Sequence, residues 1–438
     1  KQTGAYHPAM LPSMILEYDI DLFFISSICP ETFSYTTQEA MEMGMPVACL
    51  PLGAPAERVQ RYGKGKVLSS PEAGKNLEEL IEFGKKQQKP LAETKRGLIV
   101  IQEESYASRY RAEHLKEQLL HEGIVADVIE VVELKGRLAR QYAWTVLYRC
   151  QDQPKIRYWI REAHRIGHKV WYAVDDLVFD YETVRRLDFA QTREYRGFEK
   201  VCTKIQTCMN ACDGVLVSTE ALKRELQQRN GHIPVTVQRN VASYEMIALS
   251  QEAYQEKNRQ KEEVVLGYFS GSHTHDADLM LIVPVLTELM RKYPQLRIWL
   301  GGALEVPKEL AVFADRLTIW PFRPWQELPK LLAGIDINLM PLQTSVFHEC
   351  KSENKWLEAA LVAVPTVASY NDELSKVIRD GETGLLCRDT AQWQKQLQEL
   401  IDSAQYRQRI GEAARQEVLA GHTTQQIEPE VLAMFTES

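Results

Sequence analysis

The sequence predicts an α/β protein: two doubly wound, Rossmann-like units facing a cleft, preceded by part of a third such unit. Three observations carry this. Short apolar runs alternate with helical periodicity along most of the 438 residues, a length that exceeds one ordinary core. A polar stretch at 248–263 separates one series of runs from the next. A segment near the start also repeats a segment near the end, with room for a complete two-unit protein between corresponding positions.

The elements follow in order. "YDIDLFFIS" is a strand-like run, and the chain before it already reads as the inside of a domain. Because the chain opens at Lys1 in this way, it is expected to be a fragment of a longer polypeptide. "RGLIVIQEE" (96–104) is apolar and ends in polar residues, as a buried first strand does. "SRYRAEHLKEQLLHEG" has helical spacing and a stop at Gly123. "VADVIEVVEL" and "WTVLYRC" are strands, a helix runs through His164, and "HKVWYAVDDL" (168–177) is another strand. "CDGVLVSTEALKRELQQ" repeats strand, turn and helix. The stretch 248–263 is expected to be a linker. Beyond it come "VVLGYFSGS", "QLRIWLGG", "LTIWPF", "GIDINLMPL" and "VPTVAS", with a helix at 325–333. The expected boundaries are 1–90, 95–250 and 262–420.

Composition narrows the classes. Hydrophobic residues make up 45% and charged residues 26%, values of a globular domain. A net charge of −8 argues against nucleic acid as the main partner. No apolar run approaches the roughly 20 residues of a membrane span. The eight cysteines have no zinc-finger spacing and read as small buried hydrophobes of a reducing compartment.

The repeat aligns without a gap. Glu39 falls on Glu358, Ala40 on Ala359, Pro46 on Pro365 and Gly65 on Gly384. Each copy follows a run with an Ile-Asp signal. In open parallel sheets ligands bind beyond the carboxyl ends of the strands, so three such ends in the second unit are the candidates. In "GYFSGSHTHDADL", Gly271 and Ser272 allow backbone N–H groups to approach a phosphate at a helix start. His273 and His275 read either as hydrogen-bonding partners of a sugar or phosphate or as plain turn residues. No carboxylate arrangement supports a metal site there. In "WPFRPWQELP", the turn carrying Arg323 forms a rim for a base or a simple surface turn. In "HECKSENKWLEAALVAVPTV", Lys351 and Lys355 lie one helical turn apart if the helix starts near Lys351, with Ser352 between them. Two ammoniums and a positive helix end would form a pyrophosphate site without metal; the alternative is a solvated lysine pair on a surface helix. Glu358 has the acceptor capacity for two ribose hydroxyls.

These motifs resemble the retaining glycosyltransferases of the GT-B fold, family four. That family has a Glu, seven residues, a second Glu, a small-residue helix and a Gly-x-Pro-Val strand. Glu31 and Glu39 in "PETFSYTTQEAMEMGMPV" match it in full. The second copy has Cys350 in place of the first Glu, with Glu349 beside it. Its "KSENKWLEAA", with "GYFSGS-x-TH" and "VDDLVFD", is similar to a branch found in bacterial surface-polysaccharide assembly, including rhamnose-transferring and tandem enzymes. The resemblance implies that the first Glu contacts the donor sugar and the second the ribose. It implies transfer of a hexose or deoxyhexose from a nucleotide-diphosphate sugar to an oligosaccharide or lipid-linked glycan, with no cofactor and no metal. It also implies a cytoplasmic enzyme, with peripheral contact to the inner membrane or to other assembly enzymes. Residues 1–90 are then the donor-binding part of an upstream transferase.

In the first unit, Asp175 and Asp176 end a strand. Neighbouring side chains point opposite ways, so at most one is expected to face the cleft, as a general base or to orient the acceptor hydroxyl; the alternative is a capping or structural role. Arg109 and Arg111 follow the first strand and read either as contacts to phosphate or acceptor anions or as a solvated first turn. Asn240 reads as a structural residue near the hinge. Two other functions remain open: a non-catalytic glycan- or partner-binding module, suggested by the missing first Glu, and a sugar-nucleotide epimerase.

Overall fold

The computed structural model describes residues 14–15, 18, 20–29, 34–42, 45–87, 96–135, 139–140, 142–192, 195–257, 262–271, 276–302 and 304–436. The chain divides into two compact units, Lys1–Lys95 with Leu120–Val125, and the remainder.

The first unit holds a three-stranded parallel sheet in the order β1 (Phe23–Ile25), β2 (Val47–Cys49) and β3 (Gly65–Val67). Helices Tyr35–Glu42 and Gly53–Gln60 connect the strands. Ala40, Val47, Cys49 and Val59 form its small core.

The second unit contains two six-stranded sheets, parallel throughout. The first half is built from β4 (Gly97–Ile101), β5 (Ala126–Glu130), β6 (Trp144–Tyr148), β7 (Lys169–Val174), β8 (Gly214–Val217) and β9 (Val235–Val237). Their order is β5-β4-β6-β7-β8-β9. The second half is built from β10 (Val264–Ser270), β11 (Leu296–Gly302), β12 (Leu317–Trp320), β13 (Ile337–Met340), β14 (Thr366–Ser369) and β15 (Leu385–Cys387). Here the order is β12-β11-β10-β13-β14-β15, so the chain reverses direction across the sheet between β10 and β13. That reversal opens a crevice at the strands' carboxyl ends. The strands read as unbroken apolar runs because both faces are covered: every residue of β4, β6 and β13 is buried.

The repeat is visible in three dimensions. Helix Tyr35–Glu42 corresponds residue for residue to helix Asn354–Leu361 under the alignment of Glu39 with Glu358. Strands β2 and β3 correspond to β14 and β15, and Ala40 and Ala359 are both fully buried.

Two expectations need correction. The expected linker from 248 is largely helical, as part of helix Tyr244–Glu256. Ser243 caps that helix by accepting from the Met246 N–H at 3.3 Å. Met246, Ser250 and Ala253 form a narrow buried stripe on a mostly polar segment, which is why composition alone misread it. Helix Asn354–Leu361 also begins three residues after Lys351. Ser345 instead caps a separate short helix, Val346–Glu349, and the chain turns before starting again.

A last helix, Pro429–Thr436, returns to the first half. Phe435 packs there against Trp144 and Trp171, with ring centroids at 4.6 and 5.3 Å.

Candidate functional site

At the crevice beside β10 lies a cavity of about 120 Å³. The ends of β10 and β11 supply Phe269, Ser270, Gly271, Gly301 and Gly302. The turn after β12 supplies Pro321, Phe322 and Arg323, and helix Asn354–Leu361 supplies Lys355 and Glu358. Tyr106, from the loop after β4, closes one side. Gly302 is required at its place: its φ is +94°, and a Cβ there would lie 1.9 Å from the Ser270 carbonyl oxygen.

Lys355 is the cavity's cationic side chain on that helix. Its ammonium lies 4.1 Å from the centre of the Tyr268 ring. It makes no hydrogen bond or ion pair among the described residues. Burial lowers its pKa to about 8, against the opposing pull of Asp278 and Glu358. Lys351 is engaged elsewhere: its ammonium donates to Asp176 Oδ1 at 2.8 Å. Only one of the two expected cations is therefore free for a pyrophosphate in this arrangement. The Ser352 hydroxyl accepts from Asn240 Nδ2 at 3.3 Å, and the same Asn240 amide reaches Asn354 Oδ1 at 3.0 Å.

Glu358 is held from the other half of the fold. Its Oε1 accepts from Arg109 Nη2 at 2.6 Å and from the Tyr110 hydroxyl at 2.8 Å. The Arg109 guanidinium also sits among the Tyr106, Tyr110 and Trp325 rings, at 5.1, 4.6 and 4.9 Å. The Tyr106 hydroxyl donates to the Arg323 carbonyl, while Arg323 Nη1 pairs with Glu327.

Asp175 and Asp176 follow the end of β7 and share one partner, Arg149, while each has a further partner of its own. Asp175 is buried and accepts from the Tyr148 hydroxyl at 3.0 Å and Arg149 Nε at 2.6 Å. Asp176 binds Arg149 Nη2 at 2.7 Å as well as Lys351. Burial opposes its ionisation, yet Lys351 and Arg149 together hold its carboxyl well below the usual range. Arg149 adopts φ +49°, a conformation rare for a non-glycine residue, placed where it bridges both carboxylates. Arg111 is fully buried and donates to the Gln238 carbonyl and to Asn240 Oδ1; it is not among the cavity's lining residues. Burial lowers its pKa to about 10.

Glu39 is described, half-buried on helix Tyr35–Glu42. Glu31, Ser272, His273 and His275 lie outside the described residues. Sequence reasoning missed Tyr106, Tyr110, Phe322, Tyr148 and Arg149. The aromatic and basic residues crowded into "YASRYR" just beyond a strand end were the available signal for the first two.

The molecule can now be set beside known proteins. The described half-to-half arrangement aligns with a solved structure of Anabaena Alr3699/HepE in complex with UDP and glucose. The TM-score is 0.56 at 13% identity, covering 78% of this chain and 100% of that one. The fold is GT-B. A sucrose-phosphate synthase from Thermosynechococcus elongatus aligns at TM-score 0.51 and 12% identity, over 78% of this chain and 96% of that one. WaaG, a glycosyltransferase involved in lipopolysaccharide biosynthesis, aligns at 0.50 and 13%, over 78% and 100%. Residues 284–433 match the family model described as glycosyl transferase-like. No curated protein sequence matches the chain. Among the described residues no helix is long and apolar enough to cross a membrane.

Proposed function

We propose that this GT-B protein is a glycosyltransferase that moves a hexose or deoxyhexose from a nucleotide-diphosphate sugar to a growing bacterial surface glycan. The observation that carries the reading is the cavity at the carboxyl ends of β10 and β11, which combines an apolar wall with the Glu358 carboxylate and a Lys355 that has no ion-pair partner among the described residues. The glycosyl transferase-like match over 284–433 spans this cavity's helix. The HepE structure, similar in fold, was solved with UDP and glucose.

In this reading the base lies against Phe269, Phe322 and Tyr106. The ribose diol donates to Glu358, and the diphosphate meets Lys355 and the free N–H groups opening helix Asn354–Leu361. As the bond from the anomeric carbon to the diphosphate oxygen breaks, negative charge grows on the leaving group. Lys355 is placed to stabilise it without metal, and Lys351 can join by exchanging Asp176 for phosphate. Asp176, held ionised by two cations, is a weak base, and orienting the acceptor hydroxyl suits it better than removing the proton; as the acceptor oxygen bonds to the anomeric carbon, its proton passes to the departing diphosphate oxygen. Asp175, Arg109, Gly271 and Arg323 support these contacts, as would Ser272 and His273. Residues 1–90, with Glu31 and Glu39, fit the donor-binding part of an upstream transferase. The acceptor is proposed to be an oligosaccharide or lipid-linked glycan, and peripheral contact with the inner membrane or with other assembly enzymes belongs to the same proposal.

A thermal-shift panel of UDP-, GDP-, dTDP- and CMP-sugars tests the reading, together with release of nucleoside diphosphate. Stabilisation by one nucleotide class, lost in the Lys355→Ala, Glu358→Ala double variant, supports it. The absence of any shift or release overturns it.

A second reading has one observation in its favour. At the position of the family's first Glu, the Cys350 side chain packs in the core of the first half, and Glu349 is not among the cavity's lining residues. A module that binds a nucleotide sugar or glycan without turnover would tolerate this. Binding without nucleotide release would select it.

A further inference from the structure

We infer that Arg109 and Tyr110 are positioning residues for the donor's ribose, acting through Glu358 from the opposite half of the fold. The inference rests on the nucleotide-donor reading of the cavity. It begins from acceptor counting. An ionised carboxylate has about four lone-pair sites, two on each oxygen. Glu358 Oε1 takes two donors, Arg109 Nη2 and the Tyr110 hydroxyl. Oε2 has no partner among the described residues, and Glu358 lines the cavity. Its remaining capacity equals the two hydroxyls of a ribose. The carboxylate is thus fixed at one oxygen and open at the other.

The supporting pair is itself rigid. Arg109 and Glu358 are 7% and 14% exposed, so the pair is little screened by water. Three aromatic rings confine the guanidinium. The Tyr110 ring is buried and also packs edge-on against His114, with centroids 4.8 Å apart. Its hydroxyl stays protonated because burial and the Glu358 charge raise its pKa well above the ordinary value, so it can only donate to that carboxylate. Since β4 leads into Arg109 and Tyr110 while Glu358 follows β13, ribose recognition is complete only with the two halves apposed.

The test is calorimetric binding of UDP, GDP and ADP to the whole protein. The nucleotide bound is then compared with its 2′,3′-dideoxy counterpart in wild type, Tyr110→Phe, Arg109→Lys and Glu358→Gln. The expected result is that the preference for ribose over dideoxyribose falls about tenfold in Tyr110→Phe. It should fall as far in Glu358→Gln and less in Arg109→Lys, while affinity for the dideoxy compound changes little. If both affinities fall together with the melting temperature, the pair is merely structural and the inference is overturned. It is also overturned if Glu358→Gln loses the preference while Tyr110→Phe and Arg109→Lys retain it. If Glu358→Gln keeps the preference, the ribose role of Glu358 fails. If wild type binds none of the three nucleotides, the donor reading itself fails and this inference with it.

Discussion

Lys355 combines exposure to the cavity with a pKa lowered to about 8, and this gives a pH signature. Below about pH 8 it is charged with or without donor, so affinity for the diphosphate should be flat. Above that pH the free protein's Lys355 is neutral, and binding an anion requires proton uptake. Affinity should then fall as pH rises, approaching about tenfold per pH unit. A titration of nucleotide affinity from pH 6 to 10 measures this, and Lys355→Arg should abolish the slope. His114 makes the opposite kind of prediction. Burial lowers its pKa to about 3, and its Nδ1 lies 2.6 Å from the Val241 carbonyl, a neutral ring donating. The unfolded chain takes up a proton near pH 6.5 and the folded one does not, so stability is lost as pH falls from about 6.5 toward 3. Melting curves of His114→Gln should lose less over that interval than wild type. Which residues matter was only partly legible at this scale. Glu358 announced itself through the repeat, and Lys355 through its one-turn spacing from Lys351. The Arg109–Glu358 contact joins positions 249 apart, and no local pattern marks it.

At the scale of elements, buried parallel strands were easy to read because apolar runs of strand length mean little else in a sequence of alternating type. Helix Tyr244–Glu256 was hidden by its polar composition. The start of helix Asn354–Leu361 was hidden by the separate cap at Ser345. That start places Lys351 before the helix, facing Asp176, and Lys355 on it, facing the cavity. The turn closing β11 depends on Gly302. Gly302→Ala should cost more than about 1 kcal/mol, since both the φ and the Ser270 carbonyl oppose a side chain. Denaturant midpoints measure that cost. Nucleotide affinity should also drop in the folded fraction, because relief of the clash must move the cavity wall.

Across the whole second unit, the two halves are joined by a buried charge cluster. Glu373 accepts from the N–H groups of Glu220 and Ala221, at the start of helix Glu220–Arg229 in the first half. Arg239 pairs with Glu373 at 2.6 Å and approaches Glu353 at 3.5 Å. Burial raises the Glu353 pKa in spite of Arg239. Removing Arg239 leaves the buried Glu353 without its cation, while Glu373 keeps Lys376 at 2.9 Å, so Arg239→Met should cost up to about 3 kcal/mol. For Glu353 the sign follows from linkage: a raised folded pKa means stability falls as pH climbs past about 4.5. Glu373, whose pKa is lowered against burial by Lys376 and Arg239, contributes with the opposite sign, and losing Arg239 weakens that gain as well as steepening the fall. The melting-temperature gap between variant and wild type should therefore be wider at pH 8 than at pH 5. None of this cluster was anticipated, because its charges come from separate turns that read individually as surface.

The returning helix Pro429–Thr436 bears on the order of events during synthesis. It covers Trp144 and Trp171, on a sheet whose last strand ends at Val237. A ribosome has nearly 200 further residues to deliver before that cover arrives, on the order of 10–40 s of elongation. Throughout that interval the nascent first half shows an uncovered indole face. The protein is thus most exposed to mispairing and chaperone capture before its last turn of helix emerges, however well its first sheet has already formed.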